Sequence, residues 1–216
     1  MKTDSQLKRD VLEELEWDPQ VDHADIGVSV VDGVVALNGW VKSYAEKIAA
    51  ERAVKRVGGV NAIAEELKIR FSSDAKTADH EIARRILDIF KYSALIPEEK
   101  IQVKVEKGWV SLTGDVEWNY QSSEAAKAAG KVTGVVGVSN SLAIRNRADI
   151  SDVRKRIEEA FKRQADLDAA SVTITATGNK VTLGGKVKAW HERKLAEQAA
   201  WSAPGVTKVE DNIIIS

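Results

Sequence analysis

Apolar side chains return at every fourth position near the start of the chain, at Leu7, Val11 and Leu15, a spacing that keeps them on one face of a helix. The period then changes. Ile26, Val28 and Val30 alternate with polar or small residues, Asp32-Gly33 supplies a two-residue hairpin signal, and Val35, Leu37, Gly39 and Val41 alternate again. This predicts two antiparallel strands with one apolar face. Ala50, Ala53, Val54 and Val57 restore helical spacing, and their small size lets that helix lie close to a sheet. Ser43 and Glu46 make a capping-box pattern at its start. Gly59 falls just past its end, where a left-handed C′ residue is favoured. A last run, Ile63, Leu67 and Ile69, predicts a closing strand.

The whole pattern recurs twice. A shift of 75 residues lays Ile82, Ile86 and Phe90 on Leu7, Val11 and Leu15, and a further 71 adds Val153, Ile157 and Phe161 without a gap. The same shifts align Gly39, Gly114 and Gly185, then Gly59, Gly134 and Gly205, then the closing pairs Leu67/Ile69, Leu142/Ile144 and Ile213/Ile215. Lys107-Gly108 and Gly178-Asn179 stand at the later hairpin turns. Three tandem units follow, 4–70, 79–145 and 150–216, joined by short linkers at 71–78 and 146–149. Each reads α-β-β-α-β. The expected class is α+β, a small three-stranded mixed sheet with both helices packed on one face and a polar face opposite. A unit of about 67 residues has a marginal core. Neighbouring units are therefore expected to support one another, with units two and three the closer pair.

The repeated V-x-L-x-G-x-V core is written as Val35-Leu37-Gly39-Val41, Val110-Leu112-Gly114-Val116 and Val181-Leu183-Gly185-Val187. Downstream stand the pairs Gly59-Val60, Gly134-Val135 and Gly205-Val206. In these features the chain resembles the BON domain, a module named for bacterial osmotically inducible and nodulation proteins, and the resemblance covers nearly its whole length. It implies a non-enzymatic binding module linked to osmotic stress and to contact with phospholipid membranes, found in periplasmic and outer-membrane-associated proteins. A cytoplasmic relative that joins one such domain to a peptidoglycan-binding type module binds potassium, so an ion-sensing or protein-scaffold role is the alternative the resemblance carries.

Composition narrows the rest. The chain is 44% hydrophobic and 30% charged with a net charge of -1, so no global imbalance points to nucleic acid. It has no cysteine, which removes disulfides, thiolate nucleophiles and cysteine metal sites. The opening MKTDSQLKRDVLEELEW is charged throughout and lacks the apolar core of a secretory signal. No apolar run approaches the roughly 18 residues needed to span a bilayer. The location expected from the chain as written is cytoplasmic, or periplasmic if a leader has been removed.

No catalytic constellation stands out. His23, His80 and His191 fall at different positions of the repeat, so they are not expected to share a site. Asp22, His23 and Asp25 have the chemistry of a metal cluster, but their loop position favours solvated turn formers. Gly58-Gly59 follows a helix rather than leading into one, the wrong geometry for a phosphate cradle. The acid pairs Glu65-Glu66, Glu98-Glu99 and Glu158-Glu159 read as exposed faces. No cofactor is expected.

The candidate contact residues are aromatics and cations between strand two and helix two. Trp40, Tyr44, Trp118 and Trp190 all fall there; the three tryptophans are not in register with one another, and Tyr44 stands opposite Trp190. Strand alternation turns Trp40 outward. Tryptophan suits a boundary between water and an apolar phase, which is either a membrane surface, another protein, or a neighbouring unit or subunit. Counting Lys and Arg against Asp and Glu gives 10 against 13 in residues 1–70, 11 against 11 in 71–149 and 11 against 9 in 150–216. Only the third unit is basic. Lys186, Lys188, Arg193 and Lys194 surround its Trp190, a combination suited to anionic headgroups.

Overall fold

The computed structural model describes residues 2–71, 78–145, 153–163 and 171–215. The stripe Leu7, Val11, Leu15 forms one buried face of α1 (Asp4–Trp17), which starts at a Thr3/Gln6 capping box. Strands β1 (Ile26–Val31) and β2 (Val34–Val41) make the hairpin, α2 (Tyr44–Arg56) follows, and β3 (Ala62–Ile69) closes the unit. Unit two repeats this as α3 (Asp79–Lys91), β4 (Ile101–Glu106), β5 (Trp109–Val116), α4 (Asn119–Gly130) and β6 (Gly137–Ile144). In unit three the order is α5 (Val153–Lys162), β7 (Val172–Thr177), β8 (Lys180–Val187), α6 (Trp190–Trp201), β9 (Lys208–Asp211) and β10 (Ile214–Ile215). Most of both predicted linkers, residues 72–77 and 146–149, lies outside the described residues.

In every unit the second strand is central, antiparallel to the first and parallel to the last. This is the expected mixed α+β sheet. Its inner residues, Val35 and Leu37, Val110 and Leu112, and Val181 and Leu183, are fully buried beneath the helices. Each unit encloses its own core. Phe90 and Phe161 fill the place that Leu15 holds in unit one. Fully burying side chains of this kind is worth about 1.5–3 kcal/mol each.

The shared glycine of the central strand has a steric cause. Gly39, Gly114 and Gly185 have φ of 115°, 126° and 108°, and a Cβ there would overlap the carbonyl of Asp25, Lys100 or Ser171, just before the first strand. Only glycine fits both the conformation and the space. Opposite the leucine two residues before each glycine, a polar side chain of the last strand accepts the backbone N–H two residues on: Glu65 Oε1 from Leu67 at 2.6 Å, Asn140 Oδ1 from Leu142 at 3.2 Å and Asp211 Oδ1 from Ile213 at 3.0 Å. In unit three the closing strand is split into β9 and β10 at this point, where a single strand was expected.

Four further expectations need correcting. Ser43 does accept the Glu46 N–H at 3.1 Å, but Glu46 does not complete the box. Its carboxylate reaches past the cap to the N–H groups of Lys42 and Asp22, at 2.6 and 2.8 Å, and so ties the loop before β1 to the start of α2. Gly59 is not the C′ residue either, since α2 ends at Arg56 with Val57 as its cap. Gly59, Gly134 and Gly205 instead place their carbonyls against the hairpin turn: a Cβ on Gly33 or Gly108 would press on the first two, and Asn179 Nδ2 donates to Gly205 O at 2.6 Å. Glu65 faces inward rather than to solvent, half-buried with Lys47 at 2.8 Å. Finally, the packing that crosses units centres on unit one rather than on units two and three. Helix α2 packs on α6, and Tyr44 packs on the core of unit two.

Two consequences can be measured by denaturant unfolding. Replacing Gly39 or Gly114 with Ala should cost about 3 kcal/mol, from strain and overlap together. Gly58→Ala, where nothing lies within 4 Å of the new Cβ, should stay within about 0.5 kcal/mol. The second concerns Asp18, whose side chain is only 9% exposed and accepts from Arg56 Nη2 at 2.8 Å. The Arg56 hydrogen bond holds this carboxyl below its ordinary value against the opposing effect of burial, and the Gln20 N–H helps. A lowered folded pKa means that the stabilisation is present above the unfolded value, about 3.9, and is lost as pH falls through the folded one. Asp18→Ala should therefore destabilise unit one by about 1–3 kcal/mol at pH 7, with the difference from wild type vanishing below the lowered pKa.

Candidate functional site

The four candidate aromatics are distributed over the molecule rather than gathered at one surface. Trp40 lies on the outer face of β2, 39% exposed, beside Lys68 on the neighbouring strand. The Lys68 ammonium is 5.7 Å and the Arg70 guanidinium 4.3 Å from its ring centroid. Each cation sits within range of favourable interaction with the ring's negative face. Tyr44 turns instead into the seam between units one and two, its ring against Gly130 with Val138 close by. A Cβ at Gly130 would come within 3.1 Å of that ring. Trp118 caps α4, where Gln121 Oε1 accepts the N–H groups of Glu117 and Trp118, both at 3.0 Å.

Trp190 is placed between units. It packs against the core of unit one, and its indole N–H donates to the Val60 carbonyl at 3.1 Å, 130 residues away along the chain. Lys55 and Arg193 each stand 5.3 Å from its ring centroid. Around it opens a cleft of about 660 Å³ between α2 and α6, to which Arg193 and Lys194 contribute. Lys186 and Lys188 are exposed but do not line this cleft.

The electrostatics of the cleft are uneven. Arg193 is anchored by Asp211, Nε to Oδ2 at 2.6 Å. Lys194 has no such partner among the described residues. Partial burial, and then the like charges of Arg52, Lys127 and Lys55, hold its ammonium below the ordinary lysine range, while Glu197 pulls the other way. Unit one supplies Arg52, Lys55 and Arg56 to the opposite wall. These cations were not singled out from the sequence, because unit one carries net negative charge and only the packing of α2 on α6 brings them beside unit three. Trp17 and Tyr92 were also missed. They are 84% exposed and lie 75 residues apart, so the repeat spacing itself would have paired them.

Asp22 is engaged by Lys42 at 2.5 Å and by the Ala24 N–H rather than free for a metal. Among the described residues no group of three or more His, Cys, Asp or Glu is placed to hold a metal ion, and no helix is long and apolar enough to cross a membrane.

Comparison with known proteins accords with this repeated architecture. The chain is 30% identical over 136 residues to osmotically-inducible protein Y of Escherichia coli (strain K12), which covers 56% of the chain and 65% of that relative's length. Among solved structures, CdsD, a structural protein of the type III secretion system of Chlamydia trachomatis, aligns at 14% identity with a TM-score of 0.27, covering 96% of this chain and 91% of that one. Its C-terminal domain aligns at 14% identity and a TM-score of 0.26, with complete coverage of both chains. Neither likeness is close enough to bear on arrangement or function. The sequence model of the BON domain matches three times, at residues 3–70, 78–146 and 149–216, and the chain belongs to the BON domain family.

Proposed function

We propose that this protein is a non-enzymatic, stress-associated binding protein that meets anionic phospholipid, or a partner held at a membrane, through exposed aromatics flanked by cations. The observation that carries this reading is Trp40, exposed on an outer sheet face between Lys68 and Arg70. A flat indole enters the headgroup region while two cations beside it meet negative charge. Membership of the BON domain family and likeness to a protein named for osmotic induction support the stress association.

Trp190 has a different part in this reading. With its N–H bonded to Val60 and its ring packed on unit one, it holds units one and three together. The exposed Lys186 and Lys188 of unit three remain available to a negative surface and add to the attraction of Trp40 and its neighbours.

Co-sedimentation with phosphatidylglycerol vesicles tests the proposal. Wild type should bind at low salt and release as salt rises and screens the charges. Trp40→Ala and Arg70→Ala should each weaken binding by about three- to tenfold. No wild-type binding at low salt, or unchanged binding by Trp40→Ala, would sink it. Trp190→Ala should bind vesicles like wild type yet lose about 2–4 kcal/mol of stability in denaturant unfolding, through the packing it gives up against unit one.

A further inference from the structure

Three second helices, one from each unit, bring positive charge to a single place, and on α2 and α6 part of it is unmatched. Arg52 lines the cleft between α2 and α6 and also a second cleft, of about 380 Å³, between α2 and α4. Lys127 stands on the α4 side of that second cleft, and Lys194 on the α6 side of the first. Three neighbouring cations are already matched: Lys55 with Glu51 at 2.5 Å, Arg193 with Asp211 at 2.6 Å and Lys127 with Glu124 at 2.6 Å. Arg52 and Lys194 have no carboxylate within ion-pair distance among the described residues.

We propose that this seam binds a compact, multiply charged phosphate-type oxyanion between Arg52, Lys194 and Lys127. Like charges brought together at the mouth of a cleft repel unless an anion lies between them. The guanidinium offers a planar fork to two oxygens, while the two ammonium groups act as mobile point charges. The cleft volume lies in the range of small-molecule sites. Glu51 and Glu197 on its walls disfavour an extended polyanion such as nucleic acid, and leave a small, charge-dense ligand as the better occupant. Burial first, and then the like charges of Arg52, Lys127 and Lys55, hold the Lys194 ammonium below the ordinary lysine range. Such an anion would tie the three units together from their shared seam, independently of the Trp40 face.

Titration calorimetry with pyrophosphate, on the full chain at fixed ionic strength, is the test. Saturable binding should be weakened roughly tenfold by Lys194→Gln or Arg52→Gln and further by both together. Lys104→Gln, on the exposed sheet face of unit two, should leave it unchanged. Arg52 and Lys194 belong to none of the three cores, so the substitutions spare them. Pyrophosphate should also raise the melting temperature of wild type and not that of the double variant. A parallel vesicle arm separates two sources of the same chemistry. Loss of phosphatidylglycerol binding in the double variant assigns the phosphate to a lipid headgroup, and retained vesicle binding assigns it to a soluble ligand. Absence of saturable pyrophosphate binding by wild type, or equal binding by the double variant, overturns the proposal, while the Trp40 vesicle experiment stands or falls separately.

Discussion

Each unit depends on one close approach, in which the backbone of the central strand passes so near the carbonyl preceding the first strand that no side chain can stand between them. That contact at Gly39, Gly114 and Gly185 fixes where the hairpin bends. Across from it, Glu65, Asn140 and Asp211 of the last strand accept the N–H groups of Leu67, Leu142 and Ile213. Two of these bonds are part-buried and all three recur at the same place in the repeat, so the three residues belong to the fold as the glycine does. The hairpin is held at its other end too. Asp4 accepts the N–H groups of Asp32 and Gly33 at 2.9 and 3.1 Å, and Asp79 does the same for Lys107 and Gly108 at 2.8 and 2.9 Å.

The elements of the fold were legible because their signals are periodic. The helix-one stripes, the alternating Val and Leu of the central strands and the hairpin turns all follow from local spacing, and each recurs three times. What could not be read depends on contacts between distant segments. Glu46 looked like half of a capping box because its spacing from Ser43 is right, yet its carboxylate is drawn to Asp22, 24 residues earlier. Gly59 looked like a helix stop, but its place is set by a turn it touches in three dimensions.

The candidate site was legible in part for the same reason. Strand alternation turned Trp40 outward without any knowledge of neighbours. Lys68 and Arg70 became its companions only through the parallel pairing of β3 with β2. Charge counting pointed to unit three, but it sees each unit alone. Trp190 and Tyr44 leave their own units and lodge in others, a choice made by surfaces far apart in sequence.

The bond from Trp190 to the Val60 carbonyl changes what kind of repeat protein this is. In a linear array each repeat touches only its neighbours, and stability is a sum of repeat terms and adjacent interfaces. Here the last unit returns to the first. The two terminal units share a contact of their own, so damage at the carboxyl end reaches the amino-terminal unit without passing through the one between.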